Sequence, residues 1–237
     1  MSIARYIPNT ITCLNLLSGT VAVILGFKGE AEIAVYLVLA AAIFDFMDGF
    51  AARLLKSYSP MGKELDSLAD LISFGLAPAI LLFHRYGLTH GTVILTYVPL
   101  VIVVASALRL AKFNIDTRQT ENFIGMPTPA NAILIGMLIH FSTLNDIFNP
   151  ILDTTFFIPV MSMVLSYLLI CNIPMFSLKL KSLKWKGNEK RFSLIISAFV
   201  LTALAFLCGV TWSIAILIIF ILYILINLID YSLTLFR

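Results

Sequence analysis

Long apolar runs follow one another along this chain, separated by short polar breaks. Crossing a bilayer takes about 20 mostly apolar residues per helix, and polar positions inside such a run are tolerated where they face other helices. On that basis we read about eight spans, roughly at 9–27, 32–55, 63–86, 92–112, 129–145, 154–174, 192–209 and 212–235. The expected fold class is an all-α integral membrane protein, a bundle of these helices. The second and third spans are poor membrane helices alone, because they carry acids. Their polar faces must point at each other and at water.

Those acids are periodic. Asp45, Asp48, Gly49 and Ala52 fall at i, i+3, i+4 and i+7, which is one face of a helix. Gly62, Asp66 and Asp70 fall at i, i+4 and i+8, again one face. Tyr58-Ser59-Pro60 between them supplies a turn. Two antiparallel helices would aim two carboxylates each at a shared space. Ionisable residues in a membrane segment are costly and are functional candidates by default. Four acids in one space cannot all stay ionised without a cation, and oxygen-only ligation suits Mg²⁺, Mn²⁺ or Ca²⁺. Gly49, Ala52 and Gly62 strip bulk from the same faces, so a large ligand such as a nucleotide can approach bare backbone.

Composition agrees with the hydropathy pattern. Of 237 residues, 60% are hydrophobic and 12% charged, with mean hydropathy +0.99, which excludes an ordinary soluble domain. No cleavable leader is evident, so the first span is expected to stay in the mature protein. The net charge of +3 says little; its distribution says more. With the N-terminus cytoplasmic, the inner segments hold Arg5; Arg53, Lys56 and Lys63; Arg109, Lys112 and Arg118; Lys179, Lys181, Lys184, Lys186, Lys190 and Arg191; and Arg237. These are 14 of the 16 basic residues, leaving only Lys28 and Arg85 outside. The bias predicts an even number of spans, both termini in the cytoplasm, and an active site at the cytoplasmic ends of the second and third helices. The expected location is the cytoplasmic (plasma) membrane, crossed several times.

The three cysteines, Cys13, Cys171 and Cys208, are scattered in apolar runs and make neither a disulfide framework nor a zinc site. His84, His90 and His140 are scattered likewise. The basic stretch around Trp185 reads as a loop on an anionic leaflet surface. Nucleic-acid binding suits a loop tethered between two spans poorly.

The run Asp45-x2-Asp48-Gly49-x2-Ala52-Arg53-x8-Gly62-x3-Asp66-x3-Asp70 resembles the signature of the CDP-alcohol phosphotransferase family, with all eight fixed positions matched over 26 residues. The resemblance implies transfer of a phosphatidyl group from a CDP-linked lipid to an alcohol, with release of CMP. It implies Asp45, Asp48, Asp66 and Asp70 as ligands of one or two divalent ions, Mg²⁺ or Mn²⁺, with Ca²⁺ able to occupy the site. It implies Asp70 as general base. For the CDP-lipid it implies Asn9, Thr12, Asp48, Gly49, Ala52, Arg53, Gly62 and Ser67. Asn9 and Thr12 lie one turn apart and can offer hydrogen bonds beside the aspartates.

Two further stretches, Arg109-Leu-Ala-Lys112-Phe113-Asn114 and Phe123-Ile-Gly125-Met-Pro127-Thr128-Pro129-Ala130-Asn131, are similar to the serine-accepting branch of that family, the phosphatidylserine synthases. They imply Arg109, Lys112 and Asn114 as contacts of L-serine. Arg109 can grip a carboxylate in two-pronged fashion. Lys112 stands where the branch has arginine; it keeps the charge but loses the fork. Other acceptors, glycerol-3-phosphate or inositol phosphate, stay open within the same reaction type.

The resemblance divides the chain into a six-helix core at 1–176, a basic cytoplasmic loop at 177–191 and a C-terminal helix pair at 192–237. Packing and homodimer formation are the pair's expected duties. No His, Cys or Ser is arranged as a nucleophile with its own base, so direct displacement is expected rather than a covalent enzyme intermediate. The residues alone also permit an ion-coupled transporter or a structural subunit with a calcium-stiffened helix pair. Against the transporter, the acidic motif is not repeated in inverted form later in the chain.

Overall fold

The computed structural model describes residues 6–115, 123–176 and 189–235. Arg5, Arg118, the loop residues 177–188 with their lysines and Trp185, and Arg237 lie outside the described residues. Helices dominate: α1 (Tyr6–Lys28), α2 (Ala31–Leu54), α3 (Pro60–Asp70), α4 (Ala77–His90), α5 (Val101–Ile115), α6 (Thr128–Leu144), α7 (Asn149–Leu152), α8 (Phe157–Ile170), α9 (Glu189–Leu207) and α10 (Trp212–Leu235). Two-residue strands, β1 (Phe123–Ile124) and β2 (Pro174–Met175), pair antiparallel with Phe123 opposite Met175.

Each of the apolar runs read from the sequence is helical. Among the described residues, five helices are long and apolar enough to cross a membrane, or six if α6 and the segment Asp146–Leu152, bent by 106° across Asn145, count as one span. Phe157–Ile170 and Phe192–Leu207 are apolar but shorter. The third expected span is a rod of 31 residues, Pro60–His90, longer at both ends than its apolar run. Its start is set by Ser59, whose Oγ accepts from Gly62 N at 3.0 Å, and by Pro60 in the first turn, where no N–H is missed. The outer side of α2 leaves Phe46 66% and Phe50 54% exposed, a surface suited to lipid rather than water.

Within the Pro60–His90 rod, a π-helical turn at Leu71–Leu76 separates α3 from α4. Such wide turns interrupt the regular hydrogen-bond ladder and concentrate at functional sites. This one begins directly after Asp70. It is also the hub of the packing: α1, α5 and α6 all lie against it. Small residues let them come close. Gly19 of α1 sits so near the turn that a Cβ there would be 2.6 Å from Ser73 Cα. A Cβ on Gly75 would be 3.1 Å from Ser106 Cβ of α5. Ser73 Oγ closes the contact by donating to the Asn15 carbonyl at 3.0 Å.

Around this hub, α1 packs along α2 and α3, α6 against α2 and α10, α5 against α8, and α9 against α10. Phe74, Tyr86, Ile102, Ile135, Met137 and Ile139 fill the centre. The strand pair is locked by Gly125, at φ +77 a conformation that side chains resist, whose N donates to Ile173 O at 2.9 Å. Any Cβ there would strike Leu169 O at 2.6 Å. Arg85, one of the two basic residues that the charge bias leaves outside, pairs with Asp153 at 2.6 Å.

Because Gly19 meets backbone rather than a flexible side-chain end, Gly19→Ala must displace the π turn. We expect it to destabilise the detergent-solubilised protein by about 1–3 kcal/mol, seen as a lower thermal midpoint. A midpoint equal to wild type would mean that α1 does not touch the turn this closely.

Candidate active site

The carboxylates come together at one end of α1, α2 and α3. One oxygen from each of Asp45, Asp48 and Asp66 lies within 4.8 Å of the others. Asp48 is buried at 6% exposure, while Asp45 and Asp66 are half-buried. Helix α1 lies against both acid-bearing helices and supplies hydrogen bonds to them. Thr12 Oγ1 donates to Asp48 Oδ2 at 2.6 Å, with Pro8 O at 3.0 Å as the competing acceptor. One turn on, Asn15 Nδ2 donates to Asp70 Oδ1 at 3.2 Å.

The donor set suits the expected cation. Every donor is a carboxylate oxygen, with no imidazole or thiolate among them. Three like charges at this spacing repel and do not all ionise unaided. A hard divalent ion that prefers oxygen relieves this, so the residues fit Mg²⁺, Mn²⁺ or Ca²⁺, with Asp45, Asp48 and Asp66 as the groups that would hold it. Asp70 stands outside the trio. It is 7% exposed and one turn deeper along α3.

Beside the trio opens a cleft of about 470 Å³. Asn9, Thr12, Asp48, Gly49, Ala52 and Gly62, all expected to contact the CDP-lipid, line it together with Asp66. The other two expected contacts, Arg53 and Ser67, are not among its lining residues. Arg53 is folded back on its own helix, its Nε donating to Gly49 O at 3.0 Å. Ser67 Oγ donates to Lys63 O at 3.2 Å and accepts from Asn114 Nδ2 at 2.9 Å. The two glycines differ. A Cβ on Gly49 would meet nothing within 4 Å, so this glycine does leave open space. At Gly62 the bare flank is already filled by Asn9 Oδ1 at 3.0 Å and the capping Ser59 Oγ at 3.1 Å.

The three expected serine contacts part company. Arg109 is buried at 6% exposure, and its Nε donates to the Met126 carbonyl. Its guanidinium lies 5.8 Å over the Phe113 ring and interacts electrostatically with Asp70. Lys112 Nζ instead donates to Asn172 Oδ1 at 2.6 Å, beyond the end of α8. Asn114 serves the α3–α5 junction, its carbonyl accepting from Lys63 Nζ at 2.7 Å.

Asn15 was missed in the sequence, although it continues the Asn9–Thr12 face by one turn. Tyr58, Ser59 and Pro60 were read only as a turn, yet they form part of the cleft wall, as do Ser57 and Lys63.

Comparison with known proteins shows the family. Residues 5–173 match the family model described as CDP-alcohol phosphatidyltransferase. A CDP-diacylglycerol–serine O-phosphatidyltransferase of Bacillus subtilis is 35% identical over 173 residues, covering 71% of this chain and 89% of that protein. One of Helicobacter pylori is 36% identical over 134 residues, covering 56% of each chain. An archaetidylserine synthase of Methanothermobacter thermautotrophicus is 37% identical over 131 residues, covering 54% of this chain and 55% of that protein. The chain thus spans little more than half the length of the Helicobacter and Methanothermobacter relatives. The family match takes in the whole acidic trio, Asp70, the cleft and Arg109, and the chain belongs to the CDP-alcohol phosphatidyltransferase family.

Proposed function

We propose that this protein transfers the phosphatidyl group of a CDP-linked lipid to the hydroxyl of L-serine, giving the phosphatidylserine-type lipid and CMP. The observation that carries the reading is the convergence of Asp45, Asp48 and Asp66 beside an open cleft. The family match and the serine-named relatives support the acceptor. In the reaction, serine's oxygen bonds to the lipid-side phosphorus. The bond from that phosphorus to the bridging oxygen breaks, and CMP leaves.

The residues divide the work. Asn9, Thr12, Gly49, Ala52 and Gly62 shape the nucleotide cleft. Arg53 and Ser67 stand at its margin, and Arg53 keeps guanidinium N–H groups free of its Gly49 bond for diphosphate oxygens. A divalent cation on the acidic trio, Mg²⁺ or Mn²⁺, would neutralise the diphosphate and ease departure of CMP. Asp70 orients the serine hydroxyl and takes its proton. Arg109 receives the serine carboxylate, with Lys112 and Asn114 holding the helix ends around it.

The positive-inside bias supports the placement of this site at the cytoplasmic face of a bundle of about eight spans, with both termini inside. In that arrangement 1–176 is the catalytic core, 177–191 a basic cytoplasmic loop and 192–237 the C-terminal pair.

Radiolabelled L-serine should enter lipid only when CDP-lipid and a divalent ion are both present. Chelation should stop it and Mg²⁺ or Mn²⁺ restore it; undiminished product after exhaustive chelation would sink the reading. Replacing serine by glycerol-3-phosphate or inositol phosphate should abolish CMP release. Asp70→Asn should keep CDP-lipid binding and lose turnover by about 10²–10⁴-fold. A near wild-type rate would remove Asp70 from the proton transfer. Gly49→Val places bulk in open cleft space, so the KM for CDP-lipid should rise while the stability stays within about 0.5 kcal/mol of wild type, seen as a nearly unchanged thermal midpoint. An unchanged KM would mean that the nucleotide lies elsewhere.

A further inference from the structure

Buried polar atoms are almost always hydrogen-bonded, and an exception in a native structure marks strain, catalysis or an absent partner. Four buried side chains, on three helices that pack against the π turn after Asp70, are such exceptions. Asn131 is 0% exposed, and neither its Oδ1 nor its Nδ2 has a partner. Thr128, one turn earlier on the same side of α6, is 1% exposed with an unpartnered hydroxyl. Ser106, one turn before Arg109 on α5, is 0% exposed and also unpartnered. Asn15 gives its amide N–H to Asp70 but leaves Oδ1 unpartnered at 0% exposure.

The fold gathers these groups. Arg109 Nε donates to the carbonyl of Met126, which ends the turn leading into Thr128 and α6. The guanidinium is thereby tethered at the start of the helix that carries Thr128 and Asn131. Ser106 lies against Gly75 of the π turn, and α6 packs on the same turn. Asn15 is joined to the turn through Ser73.

We propose that these groups form the subsite for the amino-acid acceptor, with Asn131 recognising its ammonium group. The assignment rests on the reading of L-serine as acceptor. A zwitterionic hydroxy acid brings what the site lacks: N–H donors from the ammonium, acceptor oxygens from the carboxylate, and a hydroxyl. Arg109 carries further N–H donors besides its Nε and takes the carboxylate. The Oδ1 atoms of Asn131 and Asn15 accept from the ammonium. Thr128 and Asn131 Nδ2 donate to the carboxylate, and the hydroxyl is left towards Asp70. An amide in a dry site is costly until a ligand supplies its partners, so the unfilled subsite is selective for a ligand carrying all three groups.

The test uses near-isosteric apolar replacements. Replacing a buried amide that serves no ligand by leucine is neutral or stabilising. In Asn131→Leu we instead expect the KM for L-serine to rise about tenfold or more. The KM for CDP-lipid and the thermal midpoint should stay at wild-type values. Thr128→Val should raise the same KM, and it provides the reading if Asn131→Leu does not fold. A second readout compares L-serine with 3-hydroxypropionate, which has the hydroxyl and carboxylate but no ammonium. Wild type should prefer serine, and Asn131→Leu should narrow that preference. A serine KM within twofold of wild type, or equal losses with both acceptors, overturns the subsite while leaving the acceptor reading intact. Absence of serine-dependent turnover in the wild type overturns the acceptor reading, and the subsite with it.

Discussion

The structure is governed by the repulsion among carboxylates that two neighbouring helices bring to one place. Two unit charges about 4 Å apart cost about 4 kcal/mol at an effective dielectric near 20. Asp45, Asp48 and Asp66 approach this spacing, and Asp48 is shielded from solvent. A fold does not hold such a trio by accident of packing, because the helices would relax apart. It holds here because α1 is wedged against both α2 and α3 and because Thr12 and Asn15 give hydrogen bonds to the acids. The remaining charge calls for a cation, and that demand is what makes the cleft suitable for a diphosphate.

Holding α1 in place is a matter of close packing. Between helices in lipid there is little hydrophobic drive, so association depends on small residues and on interhelical hydrogen bonds. Gly19 against Ser73, Gly75 against Ser106, and the Ser73–Asn15 bond are of this kind. All three involve the π turn that follows Asp70. The wide turn thus sets the helix packing and the direction of the last acid together. The strand pair does a similar service for Arg109: Gly125 and Met126 are pinned to the end of α8, and the Met126 carbonyl fixes the guanidinium.

Much of the site could be read along the chain, since acids at helical spacing within apolar runs are too costly to serve packing alone. The cleft residues Gly49 and Ala52 followed from the same periodicity, and Asn9 and Thr12 from the family resemblance. What the pattern could not carry was depth. Asp66 and Asp70 sit at equivalent positions of one face, yet only Asp66 joins the trio, and nothing in the residues between them announces a difference. The π turn has no signature in Leu71–Leu76, because it arises from what packs on it. The same limit applies to Lys112 and Asn114. The resemblance named them as serine contacts, and in the fold they bond partners distant in sequence that no motif announces, Asn172 for one and Ser67 with Lys63 for the other. Asn131 closes the second stretch similar to the serine-accepting branch, yet the stretch alone gave it no role, because burial and hydrogen-bond partners are set by packing.

Depth in turn bears on how two unlike substrates share one site. Going inwards along α3, exposure falls from the half-buried Asp66 at the cleft to Asp70 at 7%, and Arg109, which interacts with Asp70, is 6% exposed. The open end is large enough for a nucleotide, and the closed end is small and polar. In the proposed reaction the phosphorus lies between them, with the leaving group towards the cleft and the attacking hydroxyl towards Asp70. That opposition is the in-line geometry a direct displacement needs. Asp66 and Asp70 are one turn apart on a single helix, and a turn rises about 5.4 Å. A single piece of helical backbone therefore fixes the distance between the acid proposed to hold the cation and the acid proposed to orient the hydroxyl. A displacement of the bent α6–α7 segment or of the C-terminal helices would leave that distance unchanged.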